Sequence, residues 1–457
     1  MLGRSTLSNS FKRVVAAVAV TTLASTSLAS CSHSDSGVKH NADGAVVLDF
    51  WHGSGGVSGK ALNKVVDDFN EAHKGEIFVN ASYQGGYEDN IAKFIASVQT
   101  GDLPSLLQAN DVQTTFLKES DVMVPAQELN DKYGGYNLDD ITPTAANYYT
   151  FDDTIHSMPA MMSQTGLYVN DDMLAEAGVS HDDLKTMDGL LDAARKIKAK
   201  TGKPGLTFQL DGWYMEQPTA ALGENLCSPD NGVKGQPADK FNLTNDKVVD
   251  LWKNYGDMFQ KGEIHNGGKS GDTVQGAWLA SQAAIMIGSS GGLGQITKSD
   301  PSFNWSMARM PRENDKAGAL PGGNSIWAVD LNHTDEEEKA AWEFMKYIGQ
   351  PDTQKYIFEE TGYLPTNKKT MDMVDDANDN QKVLLDQLDT NPVNTVTAGC
   401  HTGALQQARR EYEAAMMSIA NGADAENTLS QTEDIVNRQV EVFNKRSDVT
   451  DLDAYKQ

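Results

Sequence analysis

From Val46 onward the chain alternates between two hydrophobic periods, and that alternation limits the folds open to it. Val46-Val47-Leu48-Asp49-Phe50-Trp51 is a β-branched and aromatic run of strand type, followed by a Gly-rich turn over residues 52–59. Leu62, Val65, Val66 and Phe69 then fall at helical spacing. A second strand, Ile77–Tyr83, leads into a helix with Ile91, Phe94, Ile95 and Val98 on one face, and a third strand at residues 105–109 comes directly after. Strands that alternate with helices bury both sheet faces under those helices, so the pattern predicts an α/β fold. The stretch from Val46 to Gln457 is too long for one core at the ordinary size of roughly 100 to 200 residues per domain, so two lobes are expected.

The middle of the chain reads as richer in helix. Residues 184–199 and 247–259 have helical spacing, while 205–223 is mixed, with aromatic and polar groups together. Residues 283–288 and 325–329 are short buried-strand candidates. Thr334 with Glu337 forms a capping box that starts a helix marked by Ala341, Phe344, Met345 and Ile348. Two amphipathic helices, at 403–420 and 425–445, close the chain.

Ahead of this body, Arg4, Lys12 and Arg13 precede an uncharged stretch at residues 14–23 and a small-residue segment ending Leu28-Ala29-Ser30-Cys31. Charge, short apolar run and small residues in that order are a secretory signal. The apolar run is too short for a bilayer, which needs about 20 apolar residues. Residues 1–30 are therefore expected to be removed before Cys31, and residues 31–45, polar and small, to form a flexible spacer. Leu-Ala-Ser-Cys resembles the bacterial lipobox, which implies acylation of Cys31 and anchoring on the outer face of the cell membrane; a chance cysteine after an ordinary signal is the alternative. Durable anchoring takes two acyl chains or more.

The formal charge is −26, and loss of the three signal-segment cations takes it to −29. So acidic a body is repelled by nucleic acid and by anionic lipid. A local site of helix N-termini and hydroxyls could still hold an anion. Besides Cys31 the chain has Cys227 and Cys400, whose pairing sequence leaves open; a structural or free thiol is the expectation. None of the nine histidines has metal-ligand spacing, and neither a metal nor a cofactor is expected.

Two motifs suggest chemistry. Residues 53–60 approach a P-loop but place Ser54 where the pattern needs Gly and Ala61 where it needs Ser or Thr, so nucleotide binding is set aside in favour of a turn whose N–H groups can approach a ligand oxygen. Gly288-Ser289-Ser290-Gly291-Gly292 matches the nucleophile elbow G-x-S-x-G, with His333 and His401 downstream as bases, so a serine hydrolase acting through Ser290 is the alternative of another class. The prevailing expectation is binding without catalysis. It rests on aromatics set beside Gly, Asn and Ser: Trp51, Tyr87, Trp213 with Tyr214, Trp327 and Tyr363. Aromatic faces stack on the C–H faces of sugars while neighbouring polar groups take the hydroxyls.

Phe50-Trp51-His52, Gly85-Gly86-Tyr87-Glu88, Ser289-Ser290-Gly291, Gly322-Gly323-Asn324-Ser325-Ile326-Trp327 and Thr361-Gly362-Tyr363-Leu364-Pro365 together resemble the extracellular solute-binding proteins of carbohydrate ABC importers, most nearly their glycerol-3-phosphate-binding subfamily. The resemblance implies a periplasmic-binding-protein-like type II fold: two α/β lobes, a ligand cleft between them, and crossover strands near residues 167–170, 285–289 and 326–330. The first lobe would take residues 46–169 plus 289–328, the second 170–288 plus 329–457. It implies a monomer that captures a small ligand and docks on ABC permease subunits in the membrane. Tyr87, Ser289 or Ser290, Gly323 and Tyr363 match ligand-contacting positions; Asp111 stands where the subfamily has a hydroxyl-binding glutamate, and Trp213 matches one of two stacking tryptophans, the other being Leu210 here. The subfamily's phosphate-gripping arginine falls at His401. A histidine lacks the permanent charge and bidentate fork of arginine. An uncharged sugar or oligosaccharide is therefore the expected ligand, with glycerol-3-phosphate or a glycerophosphodiester as the alternative.

Overall fold

The computed structural model describes residues 38–330 and 333–445. The expected signal peptide, Cys31 and spacer residues 32–37 lie outside them. No helix among the described residues is long and apolar enough to cross a membrane.

The first lobe is built on a sheet whose strands run in the order Ile77–Tyr83, Val46–His52, Leu106–Asn110, Gly322–Val329 and Met123–Val124, with Met158–Ser163 also paired to Gly322–Val329. The opening strand shows why it lies at the centre of two layers. Period-two alternation sends Phe50 toward helices Gly56–Ala72 and Asp335–Ile348, where its ring lies 5.4 Å from that of Phe344. Trp51, one residue on, points to the other face and packs against the Ile91, Phe94 and Trp327 cluster under helix Tyr87–Thr100. Helix Asp335–Ile348 starts at the expected capping box, Thr334 accepting from the Glu337 N–H and Glu337 from that of Thr334.

The second lobe carries a five-stranded sheet in the order Ile264–His265, Leu206–Thr207, Ile285–Ser289, Thr165–Asn170 and Trp305–Arg309. Leu167, Val169, Ile285 and Ile287 face a core shared with helices Met187–Thr201, Asp246–Gln260, Leu405–Ala420 and Ala425–Lys445. Tyr168, Met286 and Met307 face the other way, into a core continuous with the first lobe.

Four assignments differ from the sequence reading. Residues 305–309 pair with Thr165–Asn170 in the second sheet, and helices Asp335–Ile348 and Pro351–Thr361 pack on the first lobe's core. Periodicity shows that an element has a buried face but not which sheet it joins, so the expected spans 289–328 and 329–457 placed both in the other lobe. The last spacer residues are ordered: Val47 donates to the Lys39 carbonyl, Asn41 Oδ1 accepts from Ala45, and Ala45 is buried. Cys227 and Cys400 are joined in a disulfide across 173 residues, which corrects the expectation of an isolated thiol. Their Cα atoms, 5.6 Å apart, lie within ordinary disulfide reach. The bond staples the loop bearing His401 to the second lobe.

Candidate functional site

A buried amide chain aims the first of the expected ligand contacts. Gln108, on the third strand, accepts at Oε1 from the Gly53 N–H and the Ser54 hydroxyl, both 3.0 Å, and donates through Nε2 to Asn324 Oδ1 at 3.0 Å. Asn324 in turn donates to the Tyr87 hydroxyl at 2.8 Å. Every amide atom in this chain has a use, so Tyr87 is held without room to choose another rotamer. Gly53 leaves the space: a Cβ there would come within 3.0 Å of the Tyr87 ring.

From Tyr87 the expected residues adjoin one another. The Tyr363 phenol lies beside that of Tyr87, and burial pushes both hydroxyls up, so both stay neutral hydrogen-bonding groups. The Tyr363 ring covers Gly291, next to Ser289 and Ser290. Gly323 precedes Asn324 at φ +98, where a Cβ would run into the Met161 carbonyl oxygen, so the position requires glycine. Trp213 of the second lobe lies against Gly322. At Gly212 the chain meets the stem of Arg409, whose Nη2 donates to Asp111 Oδ2 at 2.9 Å. Tyr87 and Tyr363 thus adjoin, and Trp213 and Arg409 bring second-lobe helices against Gly322 and Asp111.

Five other residues singled out in the sequence stand differently. Trp327 is fully buried in the first-lobe core, and Trp51 packs on the same cluster beneath helix Tyr87–Thr100, so both serve packing there. Leu210 is buried in the second-lobe core. Ser289 uses its hydroxyl to accept from the Gly291 N–H at 3.2 Å and its carbonyl to accept from Tyr168. Ser290 is wholly buried, its Oγ taking the Gln164 N–H at 3.3 Å. The two histidines proposed as its base are engaged elsewhere, His401 with the Ala398 carbonyl and His333 with the Pro104 carbonyl. This corrects the hydrolase alternative: an acyl-transfer nucleophile needs a base in reach and an open approach, and Ser290 has neither.

His401 is 4 % exposed, its ring 4.8 Å from that of Tyr148 and 4.9 Å from that of Phe151. Burial lowers its pKa to about 4. With Lys118, Phe151 and Phe443 it also lines an interlobe groove of about 370 Å³. A neutral, carbonyl-bonded imidazole cannot grip a phosphate.

The cation that sequence reading missed is Arg409. Its Nε and Nη2 donate to the two oxygens of Glu216 at 2.6 and 2.8 Å, and Nη2 also reaches Asp111. Glu216 is further held by the Tyr412 hydroxyl. Burial opposes the charge on Arg409, but Glu216 and Asp111 outweigh it and hold its pKa well above the ordinary value. Burial pushes the Asp111 carboxyl up while Arg409 pulls it back. Among the described residues no group of three His, Cys, Asp or Glu is placed to hold a metal ion.

Two α/β lobes therefore meet at aromatic and polar side chains. The chain belongs to the family of bacterial extracellular solute-binding proteins, which it matches over residues 64–383. Membership makes it a binding protein rather than an enzyme. It is 28% identical over 398 residues to the sn-glycerol-3-phosphate-binding periplasmic protein UgpB of Pectobacterium atrosepticum, covering 83% of this chain and 88% of that one. Its fold matches UgpB from Mycobacterium tuberculosis in complex with glycerophosphocholine, with TM-score 0.73, 20% identity and coverage of 88% and 100%. It also matches the cyclic alpha-maltosyl-1,6-maltose binding protein from Arthrobacter globiformis, with TM-score 0.70, 20% identity and coverage of 87% and 100%.

His401 carries a pH prediction. Its ordinary pKa of 6.5 falls to about 4 in the fold. Between those values the unfolded chain binds the extra proton, so stability falls as pH drops through the window, by roughly 3 kcal/mol in full. Thermal melts from pH 7 to pH 4.5 should therefore show a shallower decline for His401→Gln than for the native protein. Parallel slopes would show that His401 titrates normally in the fold.

Proposed function

We propose that this chain is the solute receptor of an ABC importer and that its ligand is an uncharged sugar or oligosaccharide, held between the lobes by Tyr87, Asp111, Trp213 and Tyr363. The observation that supports this reading is the state of the cleft's cations. Arg409 is spent on two carboxylates, and His401 is buried and neutral. A phosphate ligand carries charge that must be met on desolvation, and the Arg409 guanidinium is already committed to two carboxylates. A sugar asks for less: an indole face from Trp213, phenol hydroxyls from Tyr87 and Tyr363, and the Asp111 carboxylate as acceptor.

The second reading keeps the role and changes the ligand to glycerol-3-phosphate or a glycerophosphodiester. It is favoured by the likeness to UgpB, one member of which is described in complex with glycerophosphocholine. In either case the closed receptor docks on membrane permease subunits as a monomer, and the acylated Cys31 keeps it at the outer face of the membrane. The sequence Leu28-Ala29-Ser30-Cys31 supports that anchor.

A thermal-shift screen against maltose, maltotriose, glycerol-3-phosphate and glycerophosphocholine separates the readings. A ligand at 100 times its dissociation constant stabilises the fold by about 2.7 kcal/mol. The sugars should raise the melting temperature, the phosphate compounds should not, and Trp213→Ala should lose the response with its fold intact. A response to the phosphate compounds alone would establish the second reading. Fractionation tests the anchor: Cys31→Ser should move the protein from the membrane to the soluble fraction, whereas continued sedimentation with membranes would refute acylation at that residue.

A further inference from the structure

Arg409 belongs to helix Leu405–Ala420, whose apolar face is packed into the second lobe's core, yet its guanidinium reaches the opposite lobe. Asp111 follows strand Leu106–Asn110 of the first sheet, so the 2.9 Å contact from Arg409 Nη2 to Asp111 Oδ2 is an ion pair across the cleft. Both residues are more than nine-tenths buried. The bonds on the guanidinium are unequal. Glu216, on the second lobe's helix Trp213–Ala221, takes two of them and is itself fastened by Tyr412, whereas Asp111 takes one.

We propose that Arg409 is a positioning residue that couples lobe closure to the ligand-binding carboxylate of Asp111, with Glu216 setting how easily that coupling releases. When the lobes part, the single bond to Asp111 breaks and the bidentate pair with Glu216 stays whole. Opening therefore strands no uncompensated guanidinium: Arg409 remains neutralised within its own lobe, and Asp111 becomes hydrated. A charge pair that loses one partner while buried is strongly unfavourable, and Glu216 removes that penalty from the open state. On closure Arg409 seizes one carboxylate oxygen and fixes the orientation of the group, so the acceptor for a ligand hydroxyl is in place only when the lobes meet. The ligand-facing role of Asp111 rests on the proposed function; the interlobe pair does not.

The test is the radius of gyration of the full mature protein by small-angle X-ray scattering, with and without saturating maltotriose, on variants whose native circular dichroism is verified. Asp111→Asn and Arg409→Lys, which weaken the pair while keeping size or charge, should shift the ligand-free protein toward larger radii. Glu216→Gln, which leaves Arg409 reliant on Asp111, should shift it toward smaller ones. Arg409→Lys should also weaken maltotriose binding at least tenfold, with the saturated radius restored to the native closed value. Ligand-free radii equal to the native one in all three variants would overturn the proposal, whether or not maltotriose binds. Shifted radii without any binding of maltotriose would sustain the coupling and remove the sugar reading instead.

Discussion

A guanidinium taken out of water must be matched by carboxylates, and in this molecule the match is made across two lobes. Arg409 draws Glu216 from its own lobe and Asp111 from the other, and the surrounding backbone makes way for it. Gly212 clears its stem; Glu413, one turn along the same helix, accepts from the Gly212 N–H at 3.0 Å. Residues 409, 412 and 413 thus hold the turn from which Trp213 rises. Asp111 and the turn before Trp213 are both held by one helix face.

The first lobe reaches the same end by neutral means. Gln108, Asn324 and Tyr87 form a chain of side-chain amides and a phenol in which each donor meets an acceptor. Gly323 supplies the backbone geometry that brings Asn324 to it. One wall of the cleft is therefore fixed by hydrogen bonds among uncharged groups, the other by an ion cluster with two carboxylates for one guanidinium. The Arg409 charge is met within its own cluster, which is the physical basis for proposing an uncharged ligand.

Much of this was visible in the residues. The strand at 46–52 follows from its β-branched and aromatic run, and the helix after Thr334 from its capping box, because both signals are local. Tyr87 lies beside Tyr363, Trp213 against Gly322, and Asp111 on Arg409. Trp51 and Trp327 pack in a core cluster instead, since an aromatic beside a polar turn has the same composition whether its strand register turns it inward or outward. Arg409 was missed because a pair of arginines on an amphipathic helix reads as a solvated edge. Its signal was nevertheless there: Leu405, Arg409, Tyr412 and Met416 recur at helical spacing, placing a cation on the buried face. A charge in that position needs a partner, but sequence alone does not say that the partner is Asp111, 298 residues away.

The central claim is that both lobes grip one uncharged ligand through the surfaces built around Arg409 and Tyr87. Hydrogen exchange of the backbone amides, with and without maltotriose, tests it most directly. The account expects new protection in both lobes at once, at residues 87–91 and 361–365 on one side and 211–217 and 405–412 on the other. Protection confined to one lobe, or none at any of these segments while maltotriose is bound, would contradict it.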